Sequence, residues 1–170
     1  MEKLSFMDSQ DDKNQPRMHV KRLGRELAMQ YLFQGDLTGN EEDPLSWESF
    51  VSQAKQEHDL RENRYSRKGF EYAEKLLAET KLHLEKIDAE ILSNSEKWAL
   101  SRMAVVDRNI MRIAVCEMFF MLDVPPVVSI NEAVEIARDY SGEKAGNFIN
   151  GVLNGIKDKL DRPAREAVKK

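Results

Sequence analysis

The chain has 170 residues, 41% hydrophobic and 33% charged, with a formal net charge of −4. That length buries a core without staples, and that composition belongs to a soluble globular protein. A mildly acidic balance excludes a uniformly basic nucleic-acid binder, so any such site must be a local patch.

Residues 1–16 are polar and aperiodic, carry Asp8, Asp11 and Asp12, and end in Pro16. They read as a mobile tail and lack the apolar centre of a secretory signal. From Val20, apolar residues at Leu23, Leu27, Tyr31 and Leu32 repeat with a helical period, with Gly24 and Ala28 on the same face. This first helix is expected to stop near Gly35. Asp43-Pro44 reads as a cap followed by a first-turn proline, starting a helix with Trp47, Phe50, Val51 and Ala54 on one face. The polar stretch HDLREN separates it from a third helix carrying Phe70, Ala73, Leu76 and Leu77. Leu84, Ile87 and Ile91 indicate a fourth, broken at Ser93-Asn94-Ser95, and Trp98 lies in a short segment beyond.

Asp107 can cap the next helix, in which only Arg112 and Glu117 interrupt the apolar residues from Ile110 to Leu122. A helix apolar all round is a central one. Pro125-Pro126 ends it, and Ser129-Ile130-Asn131-Glu132 has the form of a capping box for the helix after. Gly142 suits a left-handed stop. The last helix carries Phe148, Ile149, Val152, Leu153 and Ile156, and Pro163 closes it. No run of the bilayer-spanning kind and no convincing alternating strand is present. The fold class is all-α, with about seven helices. Residues 17–162 form one helical domain and residues 163–170 a basic tail.

The first helix has a cationic side. Arg17, Lys21 and Arg25 recur every four residues with Arg22 beside them, placed opposite the apolar stripe. Arginine forks suit phosphate, and clustered cations displace counterions from a nucleic-acid backbone. The competing reading is a solvated face partly neutralised by Glu26, four residues after Arg22. Without interleaved aromatics the patch favours backbone affinity over base readout. Arg112 reads as a structural arginine, its stem in the core and its head on Glu117 or on a carboxylate of a neighbouring helix. Gly151 and Gly155 each cost up to about 1 kcal/mol in a helix, which implies close approach of another backbone. Cys116, the one cysteine, excludes an internal disulfide, suits a reducing cytoplasmic address and reads as an inert core thiol. His19, His58 and His83 show no metal spacing, and no nucleophile–base pair or paired carboxylates stand out. The residues call for no cofactor.

Three segments together resemble the NusB family of bacterial transcription antitermination factors, over roughly residues 17–160. They are KRLGRELAMQYLFQGDL, DRNIMRIAVCEM, and VPPVVSINEAVEIARDYS followed by FINGVLNGI. The resemblance implies an all-helical fold of two packed subdomains and no enzymatic activity. It implies binding of boxA-type RNA together with the ribosomal small-subunit protein NusE. RNA polymerase and other Nus factors join indirectly, and no membrane is involved. By position it assigns Arg17, Lys21, Arg22 and Arg25, with Lys144 and Asn147 in the loop before the last helix, to RNA. It assigns Phe33, Asp107 and Phe148 to the NusE-facing surface. This chain departs from the family's dense N-terminal arginine run, having an acidic tail before a sparser patch.

Two further readings compete. NusB-like modules also precede RNA methyltransferase domains, but the chain ends at Lys170 with no glycine-rich cofactor loop. A helical protein scaffold, or a homodimer masking its own patch, would show no salt-sensitive RNA binding.

Overall fold

The computed structural model describes residues 17–39, 44–96 and 99–168. The expected tail over residues 1–16, the cap at Asp43 and the segment at Trp98 lie outside them. Seven α-helices and one 3-10 turn form the described elements, with no strand among the described residues. The helices are α1 (Arg17–Thr38), α2 (Pro44–Glu57), α3 (Arg64–Leu82), α4 (Leu84–Ser93), α5 (Val105–Phe120), α6 (Pro126–Ser141) and α7 (Glu143–Lys157). No helix is long and apolar enough to cross a membrane among the described residues. The chain forms two compact units, Met1–Leu77 and Ala78–Lys170, with the boundary inside α3.

In the first unit, α1 passes through Gly35 and ends at Thr38, against the expected stop. The Thr38 hydroxyl donates to the Gln34 carbonyl at 2.9 Å, and the turn falls instead at Gly39, where φ is +71°. Leu23, Leu27, Ala28 and Met29 are buried on α1, Phe50 and Ala54 on α2, and Phe70, Ala73 and Leu76 on α3. Aromatic rings fill much of this unit. Tyr31 meets Trp47 and Phe50 edge-on at 5.1 and 5.3 Å, and Trp47 stacks on Phe50 at 5.6 Å. The Trp47 indole N–H donates to Glu74 at 2.6 Å, which settles the polar end of a largely apolar side chain. The polar stretch after α2 hides an anchor. Asp59 takes φ +48°, the Leu60 amide bonds back to the Lys55 carbonyl at 2.9 Å, and Leu60 is buried. That is a left-handed helix stop made without glycine. Asn63 and Ser66 then start α3 reciprocally: the Ser66 amide donates to Asn63 Oδ1 at 2.9 Å, and the Asn63 amide donates to Ser66 Oγ at 3.2 Å.

In the second unit, α5 packs against α4, α6 and α7, and α6 packs against α7. Nine residues of α5 are buried, which bears out the reading of a central helix. Arg112 meets the Asp88 carboxylate of α4 with two parallel bonds, Nε to Oδ1 at 2.8 Å and Nη2 to Oδ2 at 2.9 Å, and also donates to Asn109 Oδ1 at 3.1 Å. The structural reading of this arginine holds, with Asp88 as the carboxylate of a neighbouring helix that it meets. Burial pushes the Cys116 thiol up to about 12, so it stays neutral and unreactive.

Three punctuation marks differ from expectation. Helix α5 starts at Val105, so Asp107 sits in its first turn rather than capping it. Helix α6 starts at Pro126, whose missing N–H suits a first helical position, so Ser129 is inside the helix and no capping box forms. Glycines 151 and 155 do not admit a neighbouring backbone. A Cβ on Gly155 would meet the Asn94 side chain at 3.1 Å, and nothing in the structure explains Gly151. Gly142 does take the expected left-handed φ, +98°, and bonds back to the Ala137 and Arg138 carbonyls.

Residues 163–168 fold back onto this unit. The Val127 amide donates to the Ala164 carbonyl at 3.0 Å and the Val168 amide to the Leu122 carbonyl at 2.7 Å. Just before them, the Arg162 guanidinium caps the end of α5, donating to the Met118, Leu122 and Val124 carbonyls at 2.9, 3.2 and 2.8 Å. Those acceptors are left over where a helix and its following turn run out of amides, and a basic side chain there is favoured.

Candidate nucleic-acid interface

The residues singled out from the sequence fall in two regions, one in each unit. In the first unit, glycine brings α1 and α3 together. A Cβ on Gly24 would lie 2.7 Å from Tyr72 Cδ1 and 3.0 Å from the Gly69 carbonyl oxygen, and one on Gly69 would lie 2.5 Å from Leu23 Cδ2. Two helices approach this closely because neither carries a side chain at the crossing. Tyr72 fills the flank beside Gly24. Lys21 Nζ sits 5.5 Å from its ring centroid and Arg25 Cζ 5.9 Å. Both distances are within reach of a cation–π attraction.

This arrangement corrects the expected ridge of cations opposite the apolar stripe. Arg25 is 2% exposed and Glu26 4%. Arg25 follows Gly24, and the approach of α3 there encloses it against Tyr72. Arg22, half-buried, meets Glu26 through Nε–Oε1 at 2.9 Å. Lys21 is half-buried as well. Arg17 opens α1, and its side chain lies outside the described residues. Lys21, Arg22 and Arg25 therefore belong to a packed ionic and aromatic cluster rather than an open row. Glu26 reaches further: burial, then the charge of Glu26, raises the Tyr65 phenol above its ordinary value and keeps it neutral. Tyr72 went unnoticed in the sequence. Its signal was a glycine at position 24 in a helix interior, which calls for a large partner.

In the second unit, Lys144 and Asn147 are exposed and lie in the first two turns of α7 rather than in a loop. Gly142 makes the whole break between α6 and α7, because its left-handed φ reverses the chain in one residue. Arg138 of α6 lies across Gly146, where a Cβ would come within 2.8 Å of its side chain, and pairs with Glu143 at 3.2 Å. The Ser141 hydroxyl donates to Asp107 Oδ1 at 2.8 Å, which ties the start of α5 to the end of α6 beside the start of α7. Phe148 is half-buried on α7, and Phe33 is half-buried on α1. Asp107 and Lys144 thus share one end of the second unit, while Phe33 belongs to the first.

The model of the NusB family matches residues 22–158. A transcription antitermination protein NusB of Bacillus mycoides strain KBAB4 is 41% identical over 140 residues, 82% of this chain and 98% of its own. Among solved structures, one described as antitermination factors NusB and NusE in complex with dsRNA superposes with a TM-score of 0.68 at 29% identity, over 84% of this chain and 99% of that one. NusB of T. maritima superposes with a TM-score of 0.66 at 31% identity, over 84% and 93%.

Proposed function

The chain belongs to the NusB family, and from that premise we propose that it is a non-catalytic, cytoplasmic RNA-binding adapter in transcription antitermination. It binds boxA-type RNA together with NusE and, through that complex, joins RNA polymerase and the other Nus factors in ribosomal RNA transcription. The observation that carries this reading is the match to antitermination factors over nearly their whole length, a NusB–NusE–dsRNA assembly among them.

In this reading Arg17, Lys21 and Arg22 on α1, and Lys144 and Asn147 on α7, face RNA. Arg25 takes a different part in this reading. Enclosed against Tyr72, it holds the α1 flank in place while Lys21 and Arg22 meet phosphates. Phe33, Asp107 and Phe148 face NusE. The chain alone binds weakly, and the partner adds surface and preorganisation.

The test is an anisotropy titration of boxA RNA with the full chain, alone and with NusE, at two salt concentrations. NusE is expected to tighten binding and salt to weaken it in both cases. Equal affinity with and without NusE, or affinity indifferent to salt, would overturn the reading.

A further inference from the structure

We propose that the RNA surface continues from α1 onto one flank of α3, where Arg64, Lys68 and Lys75 contact the sugar-phosphate backbone. This rests on the RNA-binding reading above and extends it to residues that neither the first helix nor the last supplies.

The charge distribution makes the case first. Residues 61–68 hold Arg61, Arg64, Arg67 and Lys68 against a single acid, Glu62. Helix α3 begins at Arg64, and its first turn contains no acidic residue. The start of a helix carries a partial positive charge and normally attracts acids, so cations gathered there repel both the helix and each other. Glu62 pairs with Lys55 of α2, at 3.8 Å, rather than with any of these four. No ion pair among the described residues engages Arg61, Arg64, Arg67 or Lys68. All four are exposed. Arg64 and Lys68, kept there at local electrostatic cost, match an anionic partner that offsets it.

The register makes the case second. Gly69 and Tyr72 are the α3 residues that meet α1, through Leu23 and Gly24. Lys68 lies four residues before Tyr72, Arg64 four before that, and Lys75 three after, so they share one side of the helix. From Arg64 to Lys75 this row runs about 16 Å. Tyr72 lies on this row between Lys68 and Lys75 and is also the ring that Lys21 and Arg25 lie against. The α1 cluster and the α3 row thus meet at Tyr72 within the first unit, with exposed Glu71 set into the row between Lys68 and Lys75. Because two cations already cover that ring, the surface offers charge rather than a stacking platform, which suits phosphates over bases.

Arg67 provides the control. It stands about 100° round the helix from Lys68, and its Nε donates to the Asn63 carbonyl at 3.4 Å. The experiment compares Arg64→Gln/Lys68→Gln with Arg67→Gln in the full chain bound to NusE, titrated with single-stranded boxA RNA over a range of salt. Each lost phosphate contact reduces the slope of log K against log salt by about 0.7. The double variant is expected to lose about 1.4 from the slope and to bind roughly tenfold more weakly at low salt. Arg67→Gln should stay within about twofold of the unaltered chain. All three substitutions are at exposed positions, and an unchanged melting temperature identifies loss of contact rather than of fold. An unchanged slope in the double variant overturns the α3 extension and leaves the RNA-binding reading intact. So does an equal loss in Arg67→Gln, which marks general electrostatics, or weakened NusE binding with RNA affinity retained, which marks an acidic protein surface as the occupant. Failure of the unaltered chain to bind RNA overturns both.

Discussion

Arg112 on α5 and Arg22 on α1 both meet a carboxylate at under 3 Å, yet the two arrangements differ in kind. Arg112 reaches across to a different helix and engages Asp88 with two parallel bonds, at 2.8 and 2.9 Å. Its side chain is 12% exposed, and the pair ties α4 to α5. Arg22 makes a 2.9 Å contact with Glu26, one turn along its own helix, and its side chain is 20% exposed. An i, i+4 pair lies within one helix and by itself ties no second element to it. Proximity to an acid does not by itself make an arginine structural. What matters is whether the partner belongs to another element and whether both ends of the fork are used.

That contrast can be broken at four places. Arg112→Gln leaves Asp88 without its fork in a half-buried setting, and the folded state is expected to lose about 3 kcal/mol, read from urea denaturation. RNA affinity of the folded fraction should not change. A loss under about 1 kcal/mol would make Arg112 no more structural than Arg22.

Next in size is Gly24→Ala. The substitution favours a helix by about 1 kcal/mol, but the added Cβ would press on Tyr72 and on the Gly69 carbonyl, so a net loss of roughly 1–2 kcal/mol is expected. A more stable variant would mean that α1 and α3 can part without cost.

Arg22→Gln comes third, at about 1 kcal/mol in stability, since the Glu26 carboxylate it leaves behind is buried. Its RNA affinity should nonetheless fall several-fold, and an unaltered affinity would remove Arg22 from the proposed site. The smallest effect is at His58, where burial depresses the imidazole below its ordinary value of 6.5. The unfolded chain therefore takes up this proton first as pH falls. The stability His58 contributes is complete above about pH 6.5 and declines as acid carries it toward the depressed value. His58→Gln should flatten the melting temperature between pH 7 and 5, and an unchanged slope there would assign the acid sensitivity to other groups.

Much of the fold could be read from residues alone. The apolar run from Ile110 announced α5, and Gly142 announced the break between the last two helices. Errors gathered where several residues could serve one end. Ser129 and Glu132 have the spacing of a capping box, but Pro126 starts the helix first. Gly35 looked like a stop, but the stop is Gly39. The candidate site was legible as a set of residue types and not as an arrangement. The cations on α1 recur at the expected interval, while the burial of Arg25 depends on α3, some fifty residues away in the sequence.

Helical period, glycine and proline positions and family kinship were all carried by the sequence, because they depend on neighbours within a few residues or on the order of segments. Tertiary structure alone decided which charged groups are enclosed and which meet solvent. Gly24 and Gly69 had to meet before Tyr72 could take its place under Lys21 and Arg25. Asp88 had to come alongside α5 before Arg112 had a partner. Burial and ion pairing are properties of distance in space, and helical spacing constrains that distance only within one helix.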